Sequence, residues 1–88
     1  MFVLFYTPWC GYCKAIKPAW SKLQKRFPGK LVKVNGDDNK SLTKLFGVDG
    51  YPTIYFCPNG QNNPLDAVMF EGERSEEGLL KFIREHGE

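Results

Sequence analysis

Two cysteines three positions apart, Cys10 and Cys13 in Trp9-Cys10-Gly11-Tyr12-Cys13, constrain this chain more than any other feature. Upstream, Phe2-Val3-Leu4-Phe5-Tyr6 is a β-branched and aromatic run of strand length, stopped by Thr7-Pro8. Downstream, Ile16, Trp20, Leu23 and Phe27 recur at helical spacing. The pair therefore falls where a strand ends and a helix begins. There the first cysteine meets unpaired backbone N–H groups and the positive end of the helix dipole, both of which favour thiolate over thiol. A free thiol titrates near ~8.5, and this setting lowers it to between roughly 3.5 and 7.5, so Cys10 is expected to be exposed and substantially ionised at neutral pH. Cys13 lies one helical turn further in, on the same side, positioned to expel a partner held in a mixed disulfide with Cys10.

Zinc is the competing use of such a pair. It generally takes a second pair of ligands, and the chain offers only Cys57 and His86, far apart and off ligand spacing. The strand-turn-helix context favours redox exchange, so neither a metal nor a cofactor is expected. Eighty-eight residues with seven Phe, four Tyr and two Trp suit one folded domain, spanning 1–88, with no linker or internal repeat. The net charge of +2 is small. Lys14, Lys17, Lys22, Lys25, Arg26 and Lys30 lie on or just after the first helix and read as a solvated face rather than a nucleic-acid patch. Met1 to Tyr6 lacks a basic lead-in and is too short before Pro8 for a signal sequence, and no later run has membrane-spanning length. As given, the chain reads as a cytoplasmic monomer without membrane or nucleic-acid partners. As a fragment of a longer secretory protein it would belong in a secretory-pathway lumen. Three cysteines, an odd number, argue against a stapled secreted scaffold.

The first helix is expected to run to about Phe27 and end at Pro28-Gly29, with a bend at Pro18 where the backbone bond to Lys14 is lost. Leu31-Val32-Lys33-Val34 reads as a strand of a parallel sheet covered on both faces. Lys33 breaks that pattern, either as an ordinary charge at an exposed or end position or as a cation reaching toward the sulfurs. After the turn Gly36-Asp37-Asp38-Asn39, the residues Leu42, Leu45 and Phe46 mark a short helix that Gly47 can end. Thr53-Ile54-Tyr55-Phe56-Cys57 has buried-strand composition; Pro58-Asn59-Gly60 turns the chain, a polar loop runs to Pro64, and Ala67-Val68-Met69-Phe70 fits an antiparallel partner. Ser75 can cap a final helix with Glu76 and Glu77 in its first turn and Leu79, Leu80, Phe82 and Ile83 on its apolar face. The order is β-α-β-α-β-β-α. Pro52 opens a strand, where a missing N–H costs little, and the base rate alone does not support a cis bond after Tyr51.

Taken together, Phe5-Tyr6-Thr7-Pro8-Trp9-Cys10-Gly11-Tyr12-Cys13-Lys14, Pro18, Phe46-Gly47-Val48-Asp49-Gly50-Tyr51-Pro52-Thr53-Ile54 and Phe70-Glu71-Gly72-Glu73-Arg74 resemble the thioredoxin superfamily, and most closely a catalytic domain of protein disulfide isomerase. The resemblance implies a thioredoxin-like α/β fold, with a central four-stranded mixed sheet and helices on both faces. It implies a thiol–disulfide oxidoreductase in which Cys10 is the nucleophile, Cys13 the resolving thiol and Pro52 a cis-proline beside them. It makes Tyr51 the residue whose backbone pairs with an extended substrate segment. Arg74 matches an arginine that, in isomerase domains, turns toward the resolving cysteine, and Lys33 matches the family's buried lysine. Trp9, Gly11, Tyr12 and Tyr51 would form the substrate-binding surface. The implied partners are disulfide-containing or dithiol protein substrates, with a reductase or glutathione for recycling.

Three departures modify these expectations. The family's buried acid, six residues before Cys10, is Leu4 in this chain, so resolution by Cys13 is expected to depend on Arg74, Lys33 or water. The residues between the cysteines are Gly11-Tyr12, where isomerases have Gly-His; losing a cationic neighbour predicts a less oxidising couple. A tyrosine there is also found in glutaredoxins, which keeps open a glutathione-dependent or iron–sulfur carrier module. The usual first strand and helix are absent, giving a glutaredoxin-sized or truncated unit. A redox-inactive chaperone using the same aromatic patch is a further alternative. Cys57, on an apolar strand, reads as a small core residue.

Overall fold

Successive side chains of a strand point to opposite faces, and Phe2, Val3, Leu4 and Phe5 are all buried, so this strand needs cover on both sides. A computed structural model, which describes residues 1–58 and 65–86, supplies that cover. The elements are β1 (Phe2–Tyr6), α1 (Gly11–Arg26), β2 (Leu31–Asn35), α2 (Lys40–Phe46), β3 (Thr53–Phe56), β4 (Val68–Met69) and α3 (Glu76–His86). Their order is the one expected from the periodicities, and the four strands form a mixed sheet ordered β2-β1-β3-β4. β1 runs parallel to β2, with Leu4 opposite Lys33, and antiparallel to β3, with Leu4 opposite Ile54. β4 is antiparallel to β3. Most of the turn expected at Pro58-Asn59-Gly60, and the loop expected up to Pro64, lie outside the described residues.

The alternation along β1 divides the interior in two. Phe2 and Leu4 join Ile16, Trp20 and Leu23 of α1 and Leu79, Phe82 and Ile83 of α3 in one cluster. Val3 and Phe5 face the other way, toward Phe46 of α2, Tyr55 and Cys57. Helices thus lie on both faces of the sheet. Edge-to-face and tilted aromatic contacts tie the layers, Phe2 against Phe82 at 5.6 Å and Phe5 against Phe46 at 5.4 Å, each worth about 0.5–1.5 kcal/mol beyond its burial. Cys57 is fully buried in the second cluster, as a small core residue should be. Helix ends follow the local chemistry: Gly47 adopts the left-handed conformation (φ 68°) that closes α2, and Ser75 Oγ accepts from the Gly78 N–H at the start of α3.

Three expectations need correction or completion. β2 is an edge strand, so Val32 and Lys33 are exposed rather than covered on both faces. Leu45 points outward at 56% exposure; the inward face of α2 is Leu42, Thr43 and Phe46. α1 runs unbroken from Gly11 to Arg26 with Pro18 inside it, on the exposed side of the helix. Among the described residues no helix is long and apolar enough to cross a membrane.

Trp20 is 1% exposed at the centre of the larger cluster, so Trp20→Ala is expected to cost about 3–5 kcal/mol in denaturant unfolding. Leu45→Ala is expected to stay within about 0.5 kcal/mol of the parent.

Candidate active site

Because β1 and β2 are parallel, the segments leaving their C-terminal ends emerge on one side of the sheet, and the segment entering antiparallel β3 arrives there too. Three stretches meet: Thr7 to Cys10, Gly36 to Asn39, and Tyr51-Pro52. Cys10 is the N-cap of α1, with an extended backbone (φ −81°, ψ 116°), and its Sγ accepts the Cys13 N–H at 3.2 Å. A side-chain acceptor at this position satisfies one of the orphan donors of the helix start, a place where negative charge is favoured. The Cys10 thiol in turn donates to the Tyr51 carbonyl at 3.4 Å. The Tyr51–Pro52 peptide is cis, as the resemblance implies and against the base-rate reading. Cys10 is not exposed as expected. It keeps 6% exposure, because capping draws the sulfur in toward the helix axis and under the Tyr51 backbone.

Cys13 is buried further along the same turn, beside a cavity of about 70 Å³ lined by Leu4, Tyr6, Thr7, Lys14, Lys17 and Lys33. Its thiol is pushed up to about 11. Burial is the leading cause, and the hydrogen bond and charge of Cys10 add to it; the Thr7 backbone N–H and, more weakly, Arg74 pull the other way. Burial likewise raises Cys57. All three cysteines are free thiols. Among the described residues no cluster of three or more His, Cys, Asp or Glu has the arrangement to hold a metal ion.

The remaining expected residues sort by position. Trp9 is exposed and meets the Tyr51 ring edge-to-face at 5.9 Å. Tyr12 is exposed at 74% on the first turn of α1. Gly11 leaves open space above the turn: a Cβ there would meet nothing within 4 Å. Pro52 is buried, and Arg74 lies on the rim of a cleft of about 300 Å³ shared with Tyr51, Pro52 and Phe70. Lys33 corrects one implication of the resemblance. It is exposed, not buried, since the edge of the sheet leaves its side chain in water across the cavity from Cys13.

Three contributors escape sequence reasoning, two in the Gly36-Asp37 turn and one at Thr7. Asp37 Oδ2 accepts the Trp9 Nε1–H at 2.9 Å, and the Tyr51 phenol packs so closely on Gly36 that any Cβ there would collide with it. Both residues read as ordinary turn formers, and only the parallel pairing of β1 with β2 brings that turn to the dithiol. Thr7, read as a strand stop, is 1% exposed beside Cys13, and its Oγ1 has no hydrogen-bond partner among the described residues.

With this geometry in place, comparison with known proteins is informative. Residues 1–85 match the family described as Thioredoxin. The chain is 40% identical over 89 residues to Protein disulfide isomerase-like 2-2 of Oryza sativa subsp. japonica, covering 97% of this chain and 23% of that protein. It is also 40% identical over 92 residues to Protein disulfide-isomerase A4 of Homo sapiens, covering 98% of this chain and 14% of that one. Among solved structures it is similar to the J-Trx1 fragment of ERdj5, with a TM-score of 0.82 and 32% identity, over 96% of this chain and 39% of that one. It is likewise similar to oxidized mitochondrial thioredoxin 3 from Saccharomyces cerevisiae, with a TM-score of 0.77 and 28% identity, over 96% of this chain and 76% of that one. The chain belongs to the thioredoxin family, with relatives among the protein disulfide isomerases. It spans less than a quarter of the length of the two isomerase relatives.

The raised Cys13 thiol links stability to pH. The folded state holds its proton up to about 11, whereas the unfolded chain releases it near the ordinary value of 9.0. Between those limits the unfolded state binds fewer protons, so this contribution to stability is intact below about 9 and is lost as pH rises toward about 11. Urea unfolding of the reduced protein across that window should show a declining stability, and Cys13→Ala should make the decline shallower, the remainder coming in part from Cys57.

Proposed function

We propose that this chain is a thiol–disulfide oxidoreductase unit acting on protein disulfides, with residues 1–88 as one thioredoxin-like domain. The observation that carries the reading is the seat of Cys10 Sγ, 3.2 Å from the Cys13 N–H and 3.4 Å from the Tyr51 carbonyl. An anion there is held by a helix start, and the backbone group beside it is one that an extended substrate can pair with. Cys10 thiolate attacks a substrate disulfide; one substrate sulfur leaves and the other stays bonded to Cys10. Cys13 then gives up its proton and attacks Cys10 Sγ, forming the Cys10–Cys13 disulfide and releasing the second substrate thiolate. Started oxidised, the same sequence runs in reverse and transfers the disulfide to a dithiol protein. A reductase or glutathione closes the cycle.

Trp9, steadied by Asp37 and Tyr51, is the rigid part of the landing surface, with Tyr12 and the open space over Gly11 beside it. Arg74 and Lys33 act from the rim as cations rather than as buried groups. The partial span of the isomerase relatives supports a place within a longer chain, and with it a secretory-pathway lumen over the cytoplasm.

The deciding experiment is reduction of a disulfide-bonded protein such as insulin by the parent, Cys10→Ser and Cys13→Ser. Cys10→Ser is expected to fall to background, and Cys13→Ser to accumulate a mixed disulfide that dithiothreitol removes; turnover by Cys10→Ser would sink the reading. With neutral Tyr12 between the cysteines, the reduction potential is expected to lie below the isomerase value of about −180 mV, as measured by equilibration against glutathione.

A further inference from the structure

Cys13 has to lose a proton before it can act as the resolving thiol, and its surroundings limit where that proton can go. The cavity beside it is lined by Leu4, Tyr6, Thr7, Lys14, Lys17 and Lys33, with no carboxylate among them. Ammonium groups donate hydrogen bonds and do not accept them; a hydroxyl does both. Of the two hydroxyl residues, Tyr6 is half-buried, whereas Thr7 is 1% exposed with its Oγ1 unpartnered among the described residues. A buried hydroxyl without a partner costs stability, and valine would fill the same volume without that cost. The cavity, at about 70 Å³, is well above the ~10–15 Å³ that a single water needs.

We propose that Thr7 is a positioning residue for the resolving step, its hydroxyl holding solvent water beside Cys13 so that the water carries the thiol proton out past the lysine rim. This deepens the reading above and rests on it. In the mixed disulfide the Cys13 S–H bond breaks and its proton passes to the cavity water and on to bulk solvent. The thiolate forms the Cys13–Cys10 bond as the bond from Cys10 to the substrate sulfur breaks, and the departing thiolate is protonated by solvent according to its own acidity. Two electrons pass from the dithiol to the substrate disulfide, and the proton count closes through solvent. Several groups face Cys13: Cys10 at the helix start, Lys14 and Lys17 from α1, Tyr6 and Thr7 at the end of β1, Lys33 from β2, and Arg74 ahead of α3. The cations favour the thiolate once it forms, but none of them can receive its proton.

The test is stopped-flow reaction of the fully reduced chain with an aromatic disulfide whose two halves are released as coloured thiolates. Attack by Cys10 releases the first in a concentration-dependent phase, and resolution by Cys13 releases the second in a unimolecular one. Thr7→Val is expected to slow the second phase roughly tenfold at neutral pH, about the worth of one hydrogen bond to a charged group, and to move its pH midpoint upward. Thr7→Ser should restore both rate and profile, and Thr7→Val should unfold at or above the parent's denaturant midpoint. A second phase in Thr7→Val that matches the parent at every pH overturns the proposal, as does a slowing that leaves the pH profile in place or that serine does not relieve. If the parent lacks the first phase, or if Cys13→Ala still shows the second, it is the dithiol reading itself that fails.

Discussion

β1 lies between a parallel neighbour and an antiparallel one, and the candidate site depends on that arrangement. Parallel pairing with β2 aligns the two C-terminal ends, so the Cys10 turn and the Gly36-Asp37 turn leave the sheet together. Antiparallel pairing with β3 brings that strand's N-terminal end, and with it Tyr51-Pro52, to the same place. A sheet with β1 at its edge could not bring all three segments together. The register is fixed in turn by alternation, because a slip of one residue would exchange the Phe2 and Leu4 cluster for that of Val3 and Phe5 and put each side chain against the wrong helix.

Within this frame the two sulfurs are one helical turn apart and sit in opposite surroundings. Cys10 has a backbone N–H donor on one side and a carbonyl acceptor on the other, so it is served by hydrogen bonds in either protonation state. Cys13 is buried, and that burial together with Cys10 favours its thiol form. In the exchange cycle proposed above, this asymmetry supports the order of events, with the sulfur capping the helix as the one that attacks first. The second becomes reactive when the first has been tied into a neutral mixed disulfide and no longer opposes its ionisation.

The sequence displays what is local and hides what depends on neighbours. The strand-length apolar run from Phe2 to Tyr6, helical spacing from Ile16 to Phe27, the Ser75 cap and the Gly47 stop are written in adjacent residues, and all appear as expected. The place of β2 is not. Leu31-Val32-Lys33-Val34 looks interior, but its exposure follows from its place at the edge of the sheet, with no strand beyond it among the described residues. Leu45 illustrates the same limit on a helix too short for three apolar residues to define one face. At the site, the dithiol and Pro52 are legible from motif and resemblance, whereas Asp37, 28 residues from Trp9, becomes a partner only through tertiary pairing. Thr7 reads in the sequence as the stop of a strand, because no one-dimensional pattern shows that a hydroxyl is buried.

Leu4 carries the last connection, between stability and chemistry. It belongs to the cluster that binds the sheet to α1 and α3, and it also lines the cavity beside Cys13, so the wall of the core is the floor of the site. An apolar floor excludes water from one side of the sulfur, which strengthens every remaining electrostatic contact and raises the cost of charging it. A carboxylate at the same position would offer a proton acceptor, but it would have to be buried between Ile54 and Lys33 at the centre of the pairing. Leucine keeps the packing and leaves the proton to the rest of the cavity, where Thr7, Tyr6 and the lysines line the way to solvent. Core packing and the lining of the Cys13 cavity therefore share one residue, and a change made there for either purpose alters both.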